Sequence, residues 1–192
     1  DFDALHQGAM FMTEQAAGSD VSATETQAFE QANGSWLLRG DKWFCSNPDA
    51  GFAMVLARSE SVTGLKGVSL FLLPRTKPDG TPNDYRILRL KDKLGTRSMP
   101  SGEIRLEGAF AWLVGERGQG FKHMSDMINN SRLSNGVRAA GLMRRALTEA
   151  LFISKNRRAF GKRLVDMPLM QRQLSKMAVA TEQARTMVYQ TA

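Results

Sequence analysis

The chain is poor in the residues that build covalent or metal-based scaffolds. Cys45 is its one cysteine among 192 residues, which excludes an internal disulfide framework and a cysteine-based zinc site. Two histidines, His6 and His123, are too few for a histidine-rich metal centre, and no metal is expected. No apolar run approaches the roughly 20 residues that span a bilayer, so no membrane partner is expected. No internal repeat or low-complexity tract is present. The sequence opens on Asp-Phe-Asp without an initiator methionine, signal peptide or transit peptide, and it closes inside a helical pattern at Tyr189–Ala192. It reads as a segment of a longer protein. Its cysteine usage suits a reducing compartment, and a cytoplasmic location is the expectation. Hydrophobic residues make up 42% and charged residues 23%, an ordinary globular composition.

Acidic residues are scarce in the second part. Residues 113–192 carry 14 basic and 5 acidic side chains, whereas residues 1–112 carry 12 basic and 14 acidic ones, so the formal +7 arises entirely after residue 112. An excess of this kind suits an anionic partner, whether nucleic acid, a phosphate-bearing cofactor or an acidic substrate. A solvated helical surface is the equally weighted alternative.

The same border separates two structural patterns. Gln27–Gln31 and Ser35–Arg39 flank Asn33-Gly34, which predicts a hairpin with a two-residue turn. Further strands are predicted at Trp43–Ser46, Ala53–Arg58, Val68–Leu73, Arg86–Lys91, Glu103–Leu106 and Ala111–Val114, with turn clusters between them. Short strands without long helices between them predict an antiparallel barrel or sandwich. Beyond Gly118-Gln119-Gly120 the period becomes helical, through Phe121, Met124, Met127, Ile128, Val137, Ala140, Met143, Leu147 and Leu151. A break falls at Arg157–Lys162. Asp166 is the expected N-cap of a second helix with Pro168 in its first turn. Met167, Met170, Leu174, Met177, Thr181, Ala184 and Val188 form its apolar seam, which reads as core rather than as a ligand set. The fold class is therefore α+β: a β-domain over residues 1–114, then two long helices of an incomplete four-helix bundle over residues 115–192.

Several polar clusters carry chemistry. In Met12-Thr13-Glu14-Gln15-Ala16-Ala17-Gly18-Ser19-Asp20, small residues lie between hydroxyls, so backbone N–H groups and hydroxyls can approach a planar or phosphorylated ligand. An ordinary turn has the same composition. In Gly40–Asn47, adjacent aromatics, a hydroxyl and an Asn suit a flat ring or a core strand with a polar end. Lys91–Ser98, Gly118–Phe121 and Arg157–Lys162 follow in order.

Taken together, these five motifs resemble the acyl-CoA dehydrogenase flavoprotein family from about Met12 to Ala192. Lys42–Asn47, Pro78-Asp79-Gly80 and Lys91–Arg97 are most similar to the branch that contains the alkylation-response protein AidB. The resemblance implies a middle β-domain followed by the first two long helices of a C-terminal bundle. It also implies non-covalent FAD, an acyl-CoA substrate, an electron acceptor such as an electron-transfer flavoprotein, and a homotetramer. Residue by residue it implies that Thr13 contacts the flavin ring, Ser19 lies near the FAD pyrophosphate and the substrate's thiol arm, and Phe44 stands where relatives carry Trp beside the ring. Ser46 stands where Thr reaches flavin N5, Arg157 matches the arginine that reaches FAD phosphate or adenine, typically on a neighbouring subunit, and Asn129 to Arg132 fall where some relatives contact the CoA portion of the substrate.

The implied reaction removes an α-proton from an acyl thioester while hydride passes from the β-carbon to the flavin. It requires a carboxylate base within reach of the α-carbon. The resemblance places that base beyond Ala192, or in a minority of relatives at the position held here by Ser131. Glu149 and Glu182 read as structural helical carboxylates, and Glu14 as an acceptor that stabilises its loop. Met167-Pro168 stands where many relatives have a polar pair that touches FAD. Two other functions fit the same residues: a flavoprotein of the AidB-like branch that binds DNA and has little dehydrogenase activity, and an oligomerisation module that has lost its flavin.

Overall fold

A computed structural model describes residues 5–192 of the chain. Seven strands form its first unit: β1 (Gly8–Phe11), β2 (Gln27–Glu30), β3 (Trp36–Ser46), β4 (Phe52–Arg58), β5 (Val68–Pro74), β6 (Tyr85–Leu90) and β7 (Ser101–Val114). Pairing runs β4-β2-β3-β7-β5, and β5 pairs back onto β4, so the sheet closes into a barrel. β6 adds to β7, and β1 adds to β4. The expected antiparallel pairing holds except for β1 beside β4 and the single Gln27–Arg58 pair, which are parallel. Residues on alternate strand positions face inward and form the core, with Phe11, Trp36, Leu38, Val55, Phe71, Leu73, Ile104 and Leu106 all buried. The Trp36 and Phe71 rings meet at 5.2 Å.

Several elements differ from the sequence expectation. Ser35–Arg39 and Trp43–Ser46 belong to one eleven-residue strand, β3, and Glu103–Leu106 and Ala111–Val114 to one fourteen-residue strand, β7. The two strands pair along their length with register shifts that local pattern does not reveal. β1, which lies ahead of the polar loop, carried no strand signal. The β2–β3 hairpin has a three-residue loop, because Glu30 pairs with Trp36 and Gln31 N–H bonds Ser35 O at 2.9 Å. Gly34 takes the left-handed position that such a loop requires, at φ 79°.

Helix α1 runs Gly120–Asn156 and helix α2 Pro168–Thr191. Ser69 receives the entry to α1: its Oγ accepts Gly118 N–H at 2.8 Å, and a Cβ on Gly120 would lie 2.3 Å from the Ser69 carbonyl carbon. The first unit ends at Asp126, and the second comprises Met127–Ala192. In α2 the expected seam is recovered, with Leu174 and Thr181 buried and Met170, Met177, Ala184 and Val188 half-buried. The expected N-cap is not: Met167 occupies that position without a side-chain cap. Asp166 instead takes a forked ion pair from Arg163 at 2.9 and 3.0 Å. The break between the helices is a small hairpin of β8 (Arg158–Ala159) and β9 (Lys162–Arg163). Its two turn residues, Phe160 and Gly161, both have positive φ.

Candidate cofactor site

The polar loop after β1 is laid against β3. Trp43 N–H donates to Thr13 O at 2.8 Å, and Lys42 Nζ reaches Met12 O at 3.4 Å. Glu14 fastens the loop from inside. Its carboxylate lies 2.6 Å from Lys42 Nζ and accepts the backbone N–H groups of Glu25 at 2.6 Å and Thr26 at 3.2 Å. Lys42 is 1% exposed and Glu14 5%, so the pair is withdrawn from water. Burial pushes the Glu14 carboxyl up, but the Lys42 charge and these hydrogen bonds outweigh it and hold the carboxyl below its ordinary range. Burial pushes the Lys42 ammonium down, and Glu14 opposes that. Glu14 is thus the loop-stabilising acceptor that the sequence suggested. Lys42 went unnoticed, although it continues the inward row Trp36, Leu38 at a position where an apolar residue would be ordinary.

A bulge aims the other side chains. Lys42 pairs with Ile104 and Cys45 with Gly102, so β3 spends one residue more than β7 between them, and Trp43 and Phe44 together face Glu103. A bulge of this kind re-aims side chains. Lys42 and Cys45 both point inward, while Phe44 and Ser46 are exposed, Phe44 to 59%. Burial pushes the Cys45 thiol up to about 12, which leaves it unreactive. Thr13 is half-buried beside this strand. Ser19 is exposed, next to a short turn in which Asp20 Oδ1 accepts Ser22 N–H at 2.9 Å.

Phe44 and Ser46 thus share the outward face of the end of β3, and the hydrogen bond between Trp43 and Thr13 lays the Thr13 backbone beside it. An exposed aromatic flanked by hydroxyls fits a flat heterocycle with ring nitrogens and carbonyls, and the donor set is compatible with a flavin. Lys91, Glu103 and Arg89, all missed by the site reading, border this face. Arg89 forks onto Glu103 at 2.8 Å, and Lys91 Nζ lies 3.2 Å from Glu103 Oε1.

The other candidates lie on the second unit. Asn129 Oδ1 accepts from Arg132 at 3.3 Å across one helical turn, and both are exposed. Ser131 is exposed, and its carbonyl accepts from Asn135 Nδ2 at 2.9 Å. Arg157 is exposed just after α1 and has no ion pair among the described residues; its N–H bonds Ile153 O at 2.8 Å. At 1.5 Å per residue, Arg132 and Arg157 stand about 37 Å apart along the helix, too far to grip one ligand head together. Glu149 is paired with Arg145, and Glu182 with Arg185, both at 2.6 Å, as expected of structural carboxylates.

Comparison with known proteins agrees with this architecture. The acyl-CoA dehydrogenase middle-domain model matches residues 9–109, and the C-terminal-domain model matches residues 118–192. The chain belongs to the acyl-CoA dehydrogenase family, whose members are FAD flavoproteins. It is 38% identical over 183 residues to AidB of Escherichia coli strain K12, covering 95% of this chain and 33% of that protein. It is 37% identical over 188 residues to acyl-CoA dehydrogenase family member 11 of Caenorhabditis elegans, covering 95% and 30%. The crystal structure of Caenorhabditis elegans ACDH-11 in complex with C11-CoA matches with a TM-score of 0.85 at 37% identity, over 94% of this chain and 32% of that one. The chain thus spans about a third of the length of these relatives. No helix among the described residues is long and apolar enough to cross a membrane.

Proposed function

We propose that this chain supplies the flavin-binding β-domain and the first two long helices of an FAD-dependent oxidoreductase that desaturates an acyl-CoA thioester between its α- and β-carbons. Bound FAD would supply the hydride acceptor. The observation that carries the reading is the junction of the Thr13 loop with the bulged end of β3. There the buried Glu14–Lys42 pair ties the loop that carries Thr13 to the strand that carries the exposed Phe44 and Ser46. Thr13 and Ser46 would donate hydrogen bonds to the ring's polar edge, and Phe44 would cover it and exclude water. Ser19 would meet the pyrophosphate and the substrate's thiol arm. Arg157 would hold phosphate as a fork, and Asn129 and Arg132 the CoA portion of the substrate. The family resemblance assigns the catalytic carboxylate to the protein outside this chain, in keeping with Ser131 at the alternative position and with the commitment of Glu14, Glu149 and Glu182 to cations. An electron-transfer flavoprotein as acceptor and a homotetramer complete the reading, with 1–114 and 115–192 as its domains. The match to a C11-CoA complex supports acyl-CoA as the ligand class.

The full-length protein should purify yellow and release free FAD on heating. Anaerobic acyl-CoA should bleach its flavin band. A protein that neither carries nor takes up FAD would refute the reading. FAD binding without bleaching by any acyl-CoA would leave a flavoprotein of another activity.

A second reading, a DNA-contacting flavoprotein with little dehydrogenase activity, is favoured by one observation. Arg144, Lys155, Arg157, Arg158, Arg172 and Lys176 are exposed on the second unit without an ion pair among the described residues.

A further inference from the structure

Lys91 occupies an unusual position. Its Nζ lies 4.2 Å from the centroid of the Trp43 ring and 4.3 Å from that of Phe44, and these two rings meet edge to face at 86° with centroids 6.4 Å apart. The same ammonium is 3.2 Å from Glu103, and the Lys91 side chain is only 17% exposed. One cation thus holds two aromatic rings and one carboxylate at once.

The backbone builds this arrangement. Trp43 and Phe44 are the two bulge residues of β3 that share Glu103 as their partner on β7, and Arg89 on β6 pairs with Glu103 from the other side. Lys91 follows β6 directly, and its N–H bonds Ser101 O at 2.8 Å, which returns its side chain toward the bulge. Arg89 also approaches the Trp43 ring, at 5.7 Å. The arrangement is costly without a use. A bulge disrupts the ladder, and a mostly covered ammonium gives up hydration that two ring faces and one carboxylate replace only in part. What it achieves is a fixed orientation for Phe44, a ring that is otherwise 59% exposed and free to change rotamer.

We propose that Lys91, itself held by Glu103, is a positioning residue that locks Phe44 and Trp43 as the aromatic platform of the cofactor site. The inference rests on the flavin reading above and goes beyond it, because Lys91 acts through Phe44 and need not touch the cofactor. Methionine at position 91 keeps the length and apolar stem of the side chain and deletes the charge; arginine keeps the charge and its attraction to ring faces.

The test compares wild-type, K91M and K91R full-length proteins by FAD titration, visible flavin absorption and thermal unfolding of the flavin-free form. K91M should shift the flavin band and weaken FAD binding about five- to tenfold, the cost of re-ordering a freed Phe44 ring on binding, while the lost ring contacts lower the unfolding temperature of the flavin-free form by only about 2–4 °C. K91R should bind within about twofold of wild type. A K91M protein with wild-type FAD affinity and an unshifted band overturns the proposal and leaves the flavin reading intact. Equal weakening in K91M and K91R, with a lowered unfolding temperature in both, also overturns it, since the role is then only structural. A wild-type protein that takes up no FAD defeats the flavin reading itself, and this proposal with it.

Discussion

Replacing Lys42 with methionine tests whether the buried pair holds the cofactor loop. The substitution conserves volume but leaves the Glu14 carboxylate 5% exposed with only the Glu25 and Thr26 N–H groups for partners. Breaking a buried pair costs about 3–5 kcal/mol. A ceiling applies, because the orphaned carboxyl can take up a proton. From an ordinary pKa near 4.3, protonation at pH 7 costs about 3.7 kcal/mol, at 1.36 kcal/mol per pH unit. The expected loss at pH 7 is therefore about 3–4 kcal/mol, read by urea unfolding followed through tryptophan fluorescence. The pH dependence carries the sign. In the wild type Glu14 lies below its ordinary value, so its contribution is complete above the unfolded value and fades as pH falls through the folded one. The variant already holds the carboxyl protonated at mildly acid pH, so the gap between the two proteins should shrink to about 1–2 kcal/mol by pH 5. Adding E14Q to K42M should recover about 2 kcal/mol at pH 7, because a neutral amide still accepts the N–H groups without a buried charge. A K42M protein within 1 kcal/mol of wild type at pH 7, on the scale of that estimate, or a gap that stays constant from pH 7 to pH 5, would refute the reasoning.

Arg157→Ala should weaken FAD retention about five- to tenfold, the loss of one charge-assisted contact discounted for exposure, while leaving the unfolding midpoint nearly unchanged; unaltered retention would remove Arg157 from the site. Cys45, fully buried with its thiol pushed up to about 12, should react with a thiol reagent only in denaturant, as one thiol per chain, and fast labelling of the native protein would contradict its placement. The chain by itself, supplied with FAD and acyl-CoA, should not bleach the flavin, and bleaching at the full-length rate would locate a base within these residues. Duplex DNA binding by the chain should be indifferent to sequence and collapse between low and physiological salt, since its cations are spread around the helices; tight, sequence-selective binding that survives salt would favour the second reading.

The sequence named candidate residues for the site, while the bonds that hold their loops and strands together came only from the structure. The order of five motifs, from the Thr13 loop to the Arg157 turn, carried the resemblance to the family, because each is a short local run of residues. Glu14 could be read as a loop acceptor because it sits inside the loop it stabilises. Lys42, Lys91 and Glu103 escaped that reading, since their partners lie far along the chain: Lys42 meets Glu14 across 28 residues, and Lys91 meets Glu103 across 12 and the Phe44 ring across 47.

By itself the sequence determined the change from strands to helices after Gly120, the α2 seam through Leu174 and Thr181, and the hairpin around Asn33-Gly34. All three are local signals, set by side-chain periodicity and by the conformations open to glycine. Only the tertiary structure decided the closure of the barrel, the parallel β1, the three-residue hairpin loop and the pairing of Asp166 with Arg163. The bulge that brings Trp43 and Phe44 onto one Glu103 belongs with these. A bulge exists only relative to the strand beside it. Which face Phe44 presents was settled by the register of β7, whose pairing residues lie about 60 positions further along the chain.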